Sequence, residues 1–132
     1  MQLNTYVNFR GNCEAAFNFY VQHLGGTITS LTRHGEQPAG AQRVPDWDGK
    51  VLHGRIAIGG TELFGADVPT AEPMRSAYLS LTLTSLAEAD RIYSALSDGG
   101  EIFMKMEETF FAARFAMLRD RFGVSWMLMC PK

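Results

Sequence analysis

An internal repeat is the feature that most constrains the fold of this 132-residue chain. Two segments with helical spacing share an alanine, an apolar residue followed by tyrosine, and a closing Gly-Gly: Ala16, Phe19-Tyr20 and Gly25-Gly26 in the first half, and Ala89, Ile92-Tyr93 and Gly99-Gly100 in the second. The offset is 73 residues in the helices and 74 at the glycines. Self-similarity at a nearly fixed offset indicates two copies of one supersecondary unit.

Capping signals predict where both helices begin and end. The first is expected over about residues 12 to 24, with Asn12 as its N-cap. The second begins at Ser85, where Ser85 and Glu88 have the spacing of a capping box. Both stop at a Gly-Gly, which supplies the positive φ that a helix C-terminus often needs.

Period-two alternation predicts strands before and after each helix. Leu79, Leu81 and Leu83 alternate with polar residues, as expected for a strand that packs on a helix with one face only. Further strands are predicted over about 27–34, 51–58, 61–65, 101–107, 113–119 and 125–130. The sequence therefore predicts an α+β fold of two tandem βαβββ modules, about 1–66 and 77–132, joined by a linker over about 67–76. With only 132 residues, both modules are expected to form a single domain.

Composition excludes two classes of partner. The 12 basic and 14 acidic residues give a net charge of -2 without a run of one sign, so we expect no nucleic-acid binding. Apolar stretches are far shorter than the roughly 20 residues that span a bilayer, and the N-terminus lacks the pattern of a signal peptide. We therefore expect a cytoplasmic protein with no membrane partner. Cys13 and Cys130 form no CxxC or Cys/His spacing and are expected to be buried thiols.

Several motifs spread over the whole chain go beyond the repeat. They are Tyr6-Val7-Asn8-Phe9, Gly11-Asn12-Cys13, Leu24-Gly25-Gly26, Gly35-Glu36-Gln37-Pro38, Glu108-Thr109-Phe110-Phe111-Ala112 and Asp120-Arg121-Phe122-Gly123. With these motifs the chain resembles the PhnB-like family of the glyoxalase, bleomycin-resistance and extradiol-dioxygenase superfamily. The resemblance implies a glyoxalase-like fold with a curled mixed sheet around a cavity, a small-molecule ligand and a homodimer. Phe111, Ser125 and Met129 depart from the Trp, Pro and Asn that are usual in the family.

The resemblance also marks four positions where the superfamily places metal ligands. They fall near Thr5, near Phe64 or Gly65, at Tyr78 and at Met127, and none is a usual ligand for a divalent cation. We therefore expect no metal and no cofactor. The family has also carried the name of a demethylubiquinone methyltransferase, but no G-x-G-x-x-G motif follows a strand here, so methyl transfer is not expected.

Candidate binding residues follow from the predicted faces of the strands and from the family motifs. His53 and Arg55 should face away from the helix, toward a cavity or alternatively toward solvent. Small-molecule sites combine apolar and aromatic walls with few polar groups, although ordinary core packing is the alternative for each aromatic residue. The candidate ligand-binding residues are Tyr6, His53, Arg55, Phe64, Tyr78, Glu108, Phe111, Arg114 and Trp126. Trp47, in a loop over about 34–49, is expected to be exposed and to cover a pocket or a partner.

Three functions are compatible with the sequence. The first is metal-independent binding of a small molecule. The second is a lyase or isomerase with Glu108 as the proton carrier and Arg114 or His53 stabilising negative charge. The third is drug resistance by sequestration of the compound.

Overall fold

The computed structural model describes residues 1–38, 40–41 and 43–132. Its elements are β1 (Thr5–Phe9), α1 (Cys13–Leu24), β2 (Thr27–Arg33), β3 (Val51–Ile58), β4 (Thr61–Asp67), β5 (Leu79–Thr82), α2 (Leu86–Ser97), β6 (Glu101–Glu107), β7 (Arg114–Arg119) and β8 (Ser125–Cys130). A short 3-10 turn covers His34–Glu36. The β-α-β-β-β order occurs twice, which confirms the repeat read from the sequence. Within the described residues, no helix is long and apolar enough to cross a membrane.

The chain divides into two compact units, Met1–Glu72 and Pro73–Lys132. Each unit has one mixed four-stranded sheet, in the orders β1-β4-β3-β2 and β5-β8-β7-β6. In each sheet the first strand runs parallel to the last, and the other pairs are antiparallel. Helix α1 contacts β2, β3 and β4, and α2 contacts β6, β7 and β8, so each sheet has one helix-packed face. We call the opposite face of each sheet its open face.

The start of α1 is capped by a residue that sequence reasoning did not identify. Asn12 precedes the helix as predicted, but its side chain makes no capping hydrogen bond. Instead, Oδ1 of Asp67, at the end of β4, accepts hydrogen bonds from the backbone N–H groups of Gly11 and Cys13 at 3.0 and 2.9 Å. Its Oδ2 accepts from the N–H of Val51 at 2.8 Å, and Asp67 is only 2 % exposed. One buried carboxylate therefore ties together the ends of β1, β3 and β4.

The end of α1 and the N-cap of α2 agree with the sequence prediction, whereas the C-cap of α2 is Asp98 in an extended conformation, one residue before Gly99. Helix α1 ends at Gly25, which has a left-handed φ of 76°. At α2, the N–H of Glu88 donates to the Ser85 hydroxyl at 3.1 Å, and the Glu88 carboxylate accepts from the N–H of Thr84 at 3.0 Å. The first half of the predicted capping box is therefore present, while the Glu88 carboxylate bonds to the residue before the N-cap instead of to Ser85 itself.

Two glycines decide which face of the first sheet packs on α1. Gly54 and Gly65 pair across β3 and β4, and a Cβ on either would lie 3.0 or 2.9 Å from the ring of Phe17. The absent side chains let the Phe17 ring lie directly on the sheet. Because neighbouring strand residues point to opposite faces, His53 and Arg55 beside Gly54, and Phe64 beside Gly65, lie on the open face.

Candidate functional site

Four side chains on the open face of the first sheet form an unbroken row of contacts. We call these residues the open-face cluster: Tyr6, His53, Phe64 and Arg55. The Tyr6 and His53 rings stack with centroids 5.7 Å apart and an interplanar angle of 23°. His53 meets Phe64 edge-on at 5.8 Å, and the guanidinium carbon of Arg55 lies 4.7 Å from the Phe64 ring centroid. Such a Phe–Arg distance is typical of a cation–π contact.

Strand register brings this cluster together. Phe64 of β4 pairs with Tyr6 of β1 on one side and with Arg55 of β3 on the other. His53 lies two residues before Arg55 and therefore on the same face. The prediction that His53 and Arg55 face away from the helix is confirmed, and their role in binding stays a prediction.

The polar groups of the cluster remain partly accessible. Arg55 Nη1 lies 3.9 Å from Glu62 Oε2, and these side chains are 47 % and 41 % exposed. An open cavity of about 640 Å³ lies beside Arg55, Glu62 and Phe64 and is also bounded by residues of the N-terminal segment and the β3–β4 turn. Although half of Tyr6 is exposed, partial burial and then the electrostatic effect of Cys13 raise the pKa of its phenol. The Tyr6 hydroxyl can donate a hydrogen bond to a ligand.

The second sheet carries a related arrangement that sequence reasoning found only in part. The Tyr78 ring meets Phe103 edge-on at 6.4 Å, and the Arg119 guanidinium carbon lies 5.1 Å from the Phe103 centroid. Arg119 also lies 3.7 Å from Glu101 and donates its Nε–H to the carbonyl of Met74 at 3.0 Å. Phe103 and Arg119 were missed because the β6–β7 pairing contains register shifts that the sequence pattern does not reveal.

Two candidate ligand-binding residues of the second sheet, Arg114 and Trp126, have their contacts away from its open face. Arg114 Nε is 3.5 Å from Oδ1 of Asp90 in α2, so its side chain reaches the helix side. Trp126 is 2 % exposed and donates its indole N–H to Asp120 Oδ2 at 2.9 Å. The side on which a strand residue falls depends on register and on the helix that the strand packs against, and the role of Arg114 and Trp126 in ligand binding stays a prediction.

Glu108 and Phe111 lie outside both regular sheets. Glu108 lies 3.8 Å from Lys132 in an exposed ion pair. The Phe111 ring contacts Phe110 at 5.2 Å and Phe115 at 5.0 Å, and Phe110 is 93 % exposed. The contacts of Glu108 and Arg114 therefore join each of them to a different partner and do not form an acid–base pair.

The expectation that Trp47 is an exposed side chain was wrong. Trp47 is half-buried and meets the buried ring of His34 edge-on, with centroids 5.8 Å apart. His34 Nε2 lies 3.0 Å from the carbonyl oxygen of Asp67. Trp47 thus packs on His34, beside the strand ends that Asp67 joins by hydrogen bonds.

The four metal positions inherited from the resemblance do not provide a suitable donor set. Thr5 alternates with the buried Val7, and Gly65 packs under Phe17, so both belong to helix-packed faces. Phe64 has no donor atom, while Tyr78 and Met127 offer a phenol and a thioether, which are poor ligands for the usual divalent cations. Among the residues that the structure describes, no group of three or more His, Cys, Asp or Glu could hold a metal ion. We therefore derive no chemical step through a metal.

Residues 1–129 match the family described as 3-demethylubiquinone-9 3-methyltransferase. The chain belongs to this family. Its relatives include protein YjdN of Escherichia coli (strain K12), which is 31 % identical over 144 residues, with 100 % of this chain and 97 % of YjdN covered. These matches confirm the PhnB-like assignment made from the motifs.

Several solved structures have the same fold. Protein PA1353 from Pseudomonas aeruginosa is 40 % identical, with a TM-score of 0.87 over 99 % of this chain and 98 % of that one. A PhnB protein from Bacillus cereus, described as a putative 3-demethylubiquinone-9 3-methyltransferase, is 26 % identical, with a TM-score of 0.81 over 98 % and 99 % of the two chains. At 12 % identity, a glyoxylase/bleomycin resistance protein/dioxygenase domain from Frankia sp. EAN1pec shares the fold, with a TM-score of 0.67 over 100 % and 92 %. The predicted glyoxalase-like fold is confirmed.

Proposed function

We propose that this protein binds a small organic molecule at the open-face cluster of its first unit, without a divalent metal. The observation that carries the proposal is the continuous contact from Tyr6 through His53 and Phe64 to Arg55 on a face that no helix of the unit covers. Aromatic walls with a few oriented polar groups are the usual composition of small-molecule sites.

Binding is proposed in preference to turnover. Of the three catalytic candidates, Glu108 and Arg114 form ion pairs with Lys132 and Asp90 outside the open-face cluster, and His53 lies in the cluster without the proposed proton carrier Glu108. Methyl transfer, which the family description names, is not proposed, because both sheets are mainly antiparallel and no glycine-rich phosphate loop follows β1.

We also propose that the protein forms a homodimer. Phe110 is 93 % exposed, and an apolar ring of this size is typically covered in interfaces. Size-exclusion chromatography with light scattering tests this: the wild type should elute as a dimer and Phe110→Ser should shift toward the monomer. A monomeric wild type would contradict the proposal.

A thermal-shift screen tests the binding function. The purified protein is dialysed against a chelator and screened against 2-oxoaldehydes, catechols, phosphonates and glycopeptide drugs. A ligand at 100 times its Kd should stabilise the folded protein by about 2.7 kcal/mol. The shift should disappear in Tyr6→Ala and Phe64→Leu, and it should persist in Leu86→Ala, a change of an exposed apolar side chain of α2 outside the cluster and outside the proposed dimer contact.

Two results would contradict this proposal. A shift that survives Tyr6→Ala and Phe64→Leu would place the ligand elsewhere. A shift that requires added divalent metal after chelation would show that binding depends on the metal.

A further inference from the structure

We infer that the ligand of the open-face cluster is a planar aromatic anion, held by the guanidinium of Arg55 against the rings of Phe64 and His53. The inference rests on the proposed function and names the chemical class of its ligand. It depends on three properties of the site: an arginine with uncommitted donors, an aromatic wall and a cavity of suitable size.

Arg55 has hydrogen-bonding capacity that the described part of the chain does not use. Its distance of 3.9 Å to Glu62 is well beyond the roughly 2.7–2.9 Å of a charge-assisted hydrogen bond. The guanidinium donates no hydrogen bond to any residue that the structure describes. A planar fork of five N–H donors matches a carboxylate, which can accept two of them in parallel.

The surroundings of Arg55 favour an aromatic ligand. The guanidinium lies over one face of Phe64, the His53 ring meets Phe64 edge-on at an interplanar angle of 71°, and the Tyr6 ring stacks on His53. The adjoining cavity of about 640 Å³ falls within the roughly 300–1,000 Å³ of small-molecule sites. Tyr6 can donate its phenolic hydrogen to a second ligand oxygen.

The second unit offers a comparison that separates a binding arginine from a structural one. Arg119 also lies over a phenylalanine and beside a glutamate. However, its Nε–H is committed to the Met74 carbonyl, and its side chain is 20 % exposed against 47 % for Arg55. Arg55 has the same neighbours without that commitment, so its donors remain available to a ligand.

Three probes that share one ring and differ in charge test the inference: benzoate, benzamide and benzylamine. Their affinities are measured by NMR titration of the metal-free protein, following resonances of Tyr6, His53 and Phe64. Because a hydrogen bond to a charged group contributes about 1.5–3 kcal/mol, benzoate should bind at least about tenfold more tightly than benzamide. Benzylamine should bind more weakly than either.

Variants at the ion pair sharpen the test. Arg55→Gln should reduce benzoate affinity to that of benzamide, and Arg55→Lys should recover only part of it. Glu62→Gln removes the competing carboxylate, so it should strengthen benzoate binding several-fold and leave benzamide unchanged. The matched control is Arg121→Gln: this side chain is 40 % exposed, lies 5.2 Å from the Phe122 centroid and pairs with Asp98 at 3.4 Å. It should leave all three affinities unchanged.

The outcomes separate the ligand class from the site. If benzamide or benzylamine shifts the cluster resonances at the same concentration as benzoate, the site does not select an anion. The inference about the ligand class is then wrong, while the proposed binding site is kept. If Arg121→Gln weakens benzoate as much as Arg55→Gln, binding follows net charge and the inference is overturned. If no probe shifts the cluster up to millimolar concentration, both the inference and the proposed function fail.

Discussion

Replacing Asp67 by asparagine should destabilise the first unit strongly, although it changes only one atom of the side chain. The carboxylate is 2 % exposed and accepts three backbone hydrogen bonds, from Gly11, Cys13 and Val51. An amide can keep its oxygen toward Gly11 and Cys13. Its NH2 group then faces the N–H of Val51, so that two donors meet and the third bond is lost.

The expected cost follows from these three bonds. Two change from charge-assisted to neutral, which costs about 0.5–1 kcal/mol each, and the buried Val51 N–H without an acceptor costs about 1–3 kcal/mol more. Asp67→Asn should therefore lower the free energy of unfolding by about 3 kcal/mol, a large part of the 5–15 kcal/mol typical of a folded domain.

Urea unfolding followed by circular dichroism measures this cost. With a slope of about 1–3 kcal/mol per molar urea, the midpoint should fall by about 1–3 M. Asp48→Asn, a change of an exposed carboxylate in the same unit, should stay within about 0.5 kcal/mol of the wild type. A loss below about 1 kcal/mol in Asp67→Asn would refute the view that this carboxylate joins the three strand ends.

Three further predictions address packing, pH and thiol reactivity. Gly65→Ala should lower the free energy of unfolding by about 1–3 kcal/mol, measured by urea titration, because its Cβ would lie 2.9 Å from the Phe17 ring; an unchanged midpoint would contradict this. Hydrogen bonds from Arg33 lower the pKa of Glu14 in the folded protein. The contribution of these bonds to folding stability should therefore be complete above the pKa that glutamate has in the unfolded chain, and it should be lost as the pH falls through the lower pKa of the folded state. Glu14→Gln should thus be less stable than the wild type at pH 7 by under about 1 kcal/mol and equal to it in strong acid, and a difference that persists in acid would exclude the ion pair as its cause. Burial raises the pKa of the Cys13 thiol, and the negative charges of Asp67 and Glu14 raise it further. In a Cys130→Ala variant, Cys13 should therefore not react with a thiol reagent at pH 8 until urea unfolds the chain. Rapid labelling of Cys13 in the native protein would contradict this prediction.

Local sequence patterns predicted the secondary structure well because the determining interactions are local. The capping residues of α2, the Gly25 terminus of α1 and the Gly59-Gly60 hairpin all act within a few residues. The Asn12 cap failed for the opposite reason. Its competitor, Asp67, lies more than fifty residues away in sequence and reaches Gly11 and Cys13 only after β4 pairs with β1.

The faces of the candidate site residues could be predicted where the period-two alternation within a single strand determines them. His53 and Arg55 alternate with the apolar Ile56 and Ile58 of β3, so the face opposite the helix followed directly from the sequence. No face was predicted for Arg114 and Trp126, because the orientation of these side chains depends on contacts with Asp90 and Asp120 that alternation does not reveal. To predict which face of a sheet a side chain occupies, one long-range contact per sheet must be known in addition to the period-two pattern.

The parallel pairing of β1 with β4 has a consequence for protein synthesis. Asn4, just before β1, donates to the carbonyl of Glu62, 58 residues further along the chain, and β4 occupies the place between β1 and β3. A nascent chain that has emerged only through β3 therefore has Tyr6 and His53 without the strand that brings them together. Since contacts distant in sequence form slowly, we expect ligand binding to appear only after the ribosome has released β4, and then in one step with closure of the first sheet.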